Sequence, residues 1–146
     1  MELLVIDAQG GGIGKQVVAA IKKTYPALSV TAVGTNSLAT SAMLKAGADN
    51  GATGENSVVV CAAKADFIIG PVGIVIADSL LGEITPRMAV AVGKSKAVKF
   101  LIPVNQCNNF VVGVSDLTIS KMVNGVITEL TKFLAHVQNV KNKLQK

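Results

Sequence analysis

The feature that most limits how this chain can fold lies at its start. Leu3-Leu4-Val5-Ile6 is a continuous apolar run that passes directly into Asp7 and the glycines Gly10-Gly11-Gly12. Unbroken apolar runs of this length read as strands buried on both faces, as in parallel sheets. A helical pattern follows over residues 13–23, with Ile13, Val17, Ala20 and Ile21 on one face, and Tyr25-Pro26 stops it. Strand, glycine turn and helix in that order open a βαβ unit.

The alternation continues. A second strand is expected over 29–33, broken by Gly34-Thr35-Asn36, and then a helix over 38–46 with Asn36 or Ser37 as N-cap and Gly47 at its end. A short third strand over 50–52, a helix over 56–64 and a fourth strand over 66–70 come next. Residues 74–81 read as one helix, and Thr85-Pro86 opens another, with threonine as N-cap and proline at the first helical position. Residues 97–104 and 110–114 supply a fifth and a sixth strand. Ser115 or Asp116 then caps a long last helix whose apolar stripe is Leu117, Met122, Val126, Leu130, Phe133 and Leu134. The pattern predicts a single Rossmann-like α/β domain over 1–146. It is a three-layer αβα sandwich on a mainly parallel sheet of five to six strands, with 130–146 as helix end and basic tail.

Composition removes several function classes. Half of the 146 residues are hydrophobic and 16% are charged, with a mean hydropathy of +0.51, which excludes a disordered chain. The best apolar run, 67–77, contains Gly70, Pro71 and Gly73, and is far short of the roughly 18 residues a span requires, so no membrane partner is expected. The start MELLVIDAQGGG has no basic leader, which points to a cytoplasmic protein. Of the 14 lysines and arginines, Lys132, Lys141, Lys143 and Lys146 follow Glu129; the 10 before it nearly balance the 9 acids. With one arginine and 3% aromatics, the chain lacks the reaching and stacking side chains of a nucleic-acid binder. Cys61, Cys107 and the lone His136 make no zinc-ligand spacing, so no metal is expected and both cysteines read as reduced thiols.

In open parallel sheets, ligands bind beyond the carboxyl ends of the strands, where strand order reverses. That edge would collect residues 7–14, 34–37, 53–56, 70–73 and 105–109, all rich in glycine, small hydroxyls or amides. The glycine loop fits no standard template. Gly10 and Gly12 match the start of G-x-G-x-x-G, but Lys15 replaces the third glycine. A phosphate loop of the G-x-x-x-x-G-K-[ST] type fails at Gln9 and Gln16. The dehydrogenase spacing G-x-x-x-G-I-G fails at Ala8, and the Tyr-x-x-x-Lys that accompanies it is absent. What remains is the chemistry common to all three: glycines that let backbone N–H groups approach an anion at a helix N-terminus. The end of the second strand holds Thr35-Asn36, so it offers neither an acid for a ribose nor an arginine for a 2′-phosphate.

Together, the strings IDAQGGGIGK, GTNSLATSAMLKAGA, GATGEN, IIGPVGIV, LGEITPRMA and LIPVNQC resemble a family of short bacterial proteins, the domain of unknown function 3842, over about residues 1–115. Where that family often begins with a glycine, this chain has Ala8. The resemblance implies no activity, substrate or site residue.

The expected function is therefore binding of a nucleotide or other phosphorylated small molecule, with the cofactor, nucleotide or dinucleotide, left open along with any reaction. The phosphate would lie on Gly10, Gly11, Gly12, Ile13, Gly14 and Lys15 beside Asp7, the sugar on Thr35 and Asn36, and Glu55, Asn56, Gly70 and Asn105 would close the site. No catalytic residue stands out: His136 reads as a surface or packing residue, Cys107 as a bystander thiol, and Arg87 as a partner of Glu83 or a clamp for an anion. The alternative is a regulatory or assembly protein that self-associates through the 122–134 helix face or the 74–81 segment, making a homo-oligomer.

Overall fold

The computed structural model describes residues 1–104 and 109–144, with side chains described to residue 137. Strands β1 (Leu3–Asp7), β2 (Val30–Gly34), β3 (Asn50–Thr53), β4 (Phe67–Pro71) and β5 (Val98–Ile102) form one sheet in the order β3-β2-β1-β4-β5. Every pairing is parallel, and β1, in the centre, runs in register from Leu3 opposite Val30 to Asp7 opposite Gly34. The helices are α1 (Gly12–Thr24), α2 (Ser37–Lys45), α3 (Glu55–Lys64), α4 (Pro86–Lys94) and α5 (Ile119–Leu144).

The period of two in β1 divides the core. Leu3 and Val5 point into one cluster with Val17, Val18 and Ile21 of α1, Met43 of α2, and Val123, Val126 and Leu130 of α5. Leu4 and Ile6 point into the other, with Val58 and Ala62 of α3 and Met88 and Val92 of α4. Each face of the sheet is thus covered by helices, as the unbroken apolar strand requires. Expected caps form where the chemistry favoured them. The Asn36 side chain accepts from the Ala39 amide at 2.9 Å, and Thr85 accepts from the Met88 amide at 3.2 Å with Pro86 opening α4.

Three expectations are overturned. Residues 74–81 are not a helix. The chain leaves β4 through a single 3₁₀ turn, Val72–Val75, and then doubles back through residues with left-handed φ: Asp78 at 60°, Leu80 at 54° and Leu81 at 59°. This turn buries Ile74, Leu80 and Ile84 together, which a straight helix would not. It is tied by the Ser79 hydroxyl to the Gly73 carbonyl at 2.6 Å and by the Asp78 amide to the Ile84 carbonyl at 2.8 Å. Residues 110–114 form no sixth strand: β5 pairs with β4 alone, and Phe110 and Val112 are 80% and 95% exposed. Apolar, β-branched content makes a strand only where a sheet edge receives it. Finally, α5 starts later than Ser115 or Asp116. Thr118 caps it, its carbonyl accepting from Met122 at 3.1 Å and its hydroxyl from Lys121 at 3.3 Å.

Candidate functional site

The strand order reverses between β1 and β4: the chain builds outward from β1 to β2 and β3, then returns to lay β4 on the other side of β1. A cavity of about 230 Å³ opens at the carboxyl ends of these two strands, lined by Asp7, Ala8, Gln9, Gly10, Gly12, Ile13 and Gln16, with Pro71, Leu80 and Ile119 opposite. Its position is the crevice in which doubly wound sheets hold their ligands.

The glycines of the loop divide into two kinds. Gly11 has φ of 68°, and a Cβ there would lie 2.8 Å from the Ala39 Cα; at Gly14 it would meet Met43 Sδ at 2.5 Å and Asp7 Cβ at 2.8 Å. Those two glycines are needed to seat α1 against β1 and α2. At Gly10 and Gly12 a Cβ would meet nothing within 4 Å, and neither residue has a left-handed φ. Their amides also have no acceptor among the described residues, whereas the Gly11 amide bonds the Ala8 carbonyl at 3.0 Å.

Asp7 occupies the start of α1. The N-cap residue, Gly11, has no side chain to cap the helix, and the buried Asp7 carboxylate takes over that role. Its Oδ2 accepts from the Gly14 amide at 2.6 Å and its Oδ1 from the Ala8 amide at 2.8 Å. Burial pushes the Asp7 carboxyl above its ordinary range. The amides of Gly14, Ala8 and Ile13 offset this only in part, and the nearby charge of Glu83 adds to the rise.

Glu83, expected from the sequence only as a partner for Arg87, is the residue whose place at this end of the sheet was missed. It follows the left-handed turn and reaches the end of β2, where its Oε2 accepts from the Gln9 amide at 2.8 Å, from Asn36 Nδ2 at 3.0 Å and from the Thr35 hydroxyl. Partial burial pushes this carboxyl up, but the three hydrogen bonds outweigh it and hold Glu83 below its ordinary range. Its distance from Thr35 in the chain, 48 positions, left no local spacing from which to find it. Left-handed residues of this kind cost about 1–3 kcal/mol each and persist only where the surroundings enforce them.

The other expected site residues scatter. Asp7, Gly10, Gly12 and Ile13 meet at the cavity, while Gly11 and Gly14 lie behind it. Lys15 instead lines a separate groove of about 440 Å³ between α1 and α2, with Lys45 and Leu38. Thr35 and Asn36 are committed to Glu83, and Asn36 Nδ2 also donates to the Gln9 carbonyl at 2.9 Å. Glu55 accepts from the Thr85 hydroxyl at 2.6 Å and from Arg87 at 3.1 Å, so Arg87 pairs with Glu55 rather than with Glu83. Those two bonds lower the Glu55 carboxyl below its usual value, the Thr85 hydroxyl contributing most. Asn56 is exposed on α3, and Gly70 is a packing glycine whose Cβ would meet the Ile6 carbonyl at 2.5 Å. Asn105 and Cys107 lie outside the described residues.

An all-parallel sheet in this order, covered on both faces and open at its switch point, defines a Rossmann-like α/β protein. More narrowly, the chain belongs to the DUF3842 family, described as a domain of unknown function, whose model matches residues 2–135. The match runs beyond residue 115 into α5, further than the quoted strings reached. No curated protein matches the chain. Among solved structures, a dodecameric FMN-dependent Ubix-like decarboxylase from Escherichia coli O157:H7 aligns at 18% identity and a TM-score of 0.47, over 90% of this chain and 76% of that one. Among the described residues, no helix is long and apolar enough to cross a membrane.

Proposed function

We propose that the protein binds an anionic, phosphate-bearing small molecule, of the nucleotide class, in the crevice between β1 and β4. The observation that carries this reading is the pair Gly10 and Gly12: two exposed glycines whose amides have no acceptor among the described residues, with open space at the Cβ position, and that neither packing nor backbone conformation demands. Backbone N–H groups at a helix start are a ready anion site, and glycine lets the anion come close. Asp7 already fills the deeper donors, so the anion rests at the mouth of the helix rather than within its first turn.

A thermal-shift panel of nucleotides, dinucleotides and sugar phosphates tests the reading, run on the native protein and on Gly12→Asp. A ligand at 100 times its Kd adds about 2.7 kcal/mol. The native protein should shift, and Gly12→Asp should fold normally but not respond, because its carboxylate has room and favours the helix start. A panel without a single shift rejects the proposal.

Self-association is a second reading, favoured by Phe110, Val112 and Leu81, which are exposed together with much of the 110–117 segment. The faces first expected to mediate it are used mostly inside the chain: Val123, Val126 and Leu130 pack on the sheet, and Ile74 and Leu80 are buried, while Leu81 alone among the large apolar residues of the 74–81 segment stays exposed. Sizing the native protein against Phe110→Lys/Val112→Lys tests it, with a drop to monomer expected in the double variant.

A further inference from the structure

We infer that Glu83 is the group that reads a sugar at this site, accepting hydrogen bonds from a vicinal diol, so that the ligand is a ribonucleotide. The inference rests on the anion-binding reading above and specifies it further. In dinucleotide sites, an acid at the end of the second strand bonds the ribose hydroxyls. The end of β2 here offers only Thr35 and Asn36, and the acid arrives instead from the turn after β4.

Three features fit Glu83 to that task. All three of its donors, Gln9 N, Thr35 Oγ1 and Asn36 Nδ2, bond the same oxygen, Oε2. Its Oε1 has no hydrogen-bond partner among the described residues, so its lone pairs remain to receive two adjacent hydroxyls. The side chain is fixed in place as well as available. Asn36 is held by its cap on α2 and by the Gln9 carbonyl, and the backbone around Glu83 is anchored by the buried Leu80 before it and Ile84 after it. Glu83 does not line the cavity itself, but it bonds the amide of Gln9, a lining residue next to Gly10, so the diol acceptor adjoins the loop that carries the anion donors. A carboxylate held ionised is the stronger acceptor for hydroxyls.

Calorimetric titration of the native protein with ADP, 2′,3′-dideoxy-ADP and inorganic pyrophosphate tests the inference. ADP should bind about 10- to 100-fold more tightly than the dideoxy compound, the range expected for hydrogen bonds to a charged group. In Glu83→Gln that ratio should fall toward one, with pyrophosphate affinity unchanged. Equal binding of ADP and dideoxy-ADP to the native protein overturns the diol reading and leaves the anion site standing, as does binding of pyrophosphate without ADP. Failure of all three to bind overturns the anion site and this inference with it. The native ratio needs no variant to fold.

Discussion

At the scale of single residues, the four glycines of the first loop make opposite predictions although they are contiguous or nearly so. Gly11→Ala forces a left-handed φ on alanine and drives its Cβ to 2.8 Å from backbone, so a loss of about 2 kcal/mol or more is expected in urea unfolding. Gly12→Ala should be neutral, or stabilising by up to about 1 kcal/mol, since the space is open and the residue begins a helix. Asp7 adds a pH signature. Its carboxyl is raised in the fold, so above 3.8 the native state keeps a proton that the unfolded chain has lost, and its contribution makes stability fall as pH climbs through that window. Glu83, lowered from 4.5, acts in the opposite sense: it stabilises above that value, and the gain is lost as pH falls through its folded pKa. The stability difference between the native protein and Asp7→Asn, from urea melts at a series of pH values, should therefore decline as pH rises above 3.8; a flat difference would remove Asp7 from this role. The sequence showed that a glycine loop followed β1, but not which glycines served packing. That distinction depends on Ala39 and Met43, which reach the loop only through tertiary contact.

Among the elements, those read correctly are the ones whose local signals agree with the packing. β1, β2 and β4 carry apolar runs that the sheet buries, and α2 and α4 carry caps whose side chains bond as their residue types allow. The 74–81 segment failed because its apolar spacing suits a helix and a buried turn equally well, and the demand for burial by Ile74, Leu80 and Ile84 decides between them. That turn makes a prediction of its own. Leu81 is 89% exposed at φ of 59°, so Leu81→Gly loses almost no packing and relieves a left-handed strain of about 1–2 kcal/mol. After the entropic cost of glycine, a net gain of about 0.5 kcal/mol is expected in urea unfolding, while Leu81→Val should destabilise.

For the molecule as a whole, the last helix is part of the core rather than a detachable basic tail. Leu130 is fully buried with Val123 and Val126 in the cluster that covers β1, β4 and β5 from the α1 side. Leu130→Ala should cost about 2–5 kcal/mol, seen as a lowered urea midpoint with unchanged slope. Removing residues 130–146 should therefore abolish cooperative folding and small-ligand binding together. The parallel architecture was legible because β1, β2 and β4 carry apolar runs of their own, whereas the strand count was not: β3 (NGAT) has no such run, and the apolar 110–114 segment does not join the sheet. The assembly of the site was only half legible, because Glu83 enters it through a turn that no periodicity announced.

The joint between α1 and α5 has a spectroscopic consequence. The chain contains one tyrosine and no tryptophan, and that tyrosine, Tyr25 at the end of α1, shares a hydrogen bond with Thr131 on α5. Excited beyond the phenylalanine band, the intrinsic emission of this protein thus comes from one chromophore placed where the last helix docks, at the end of α1 away from the glycine loop. Undocking of α5 exchanges the threonine partner for water, so the intrinsic signal follows the closing of the core without a label. The same signal should stay silent when the crevice fills, which separates folding from occupancy in a single cuvette.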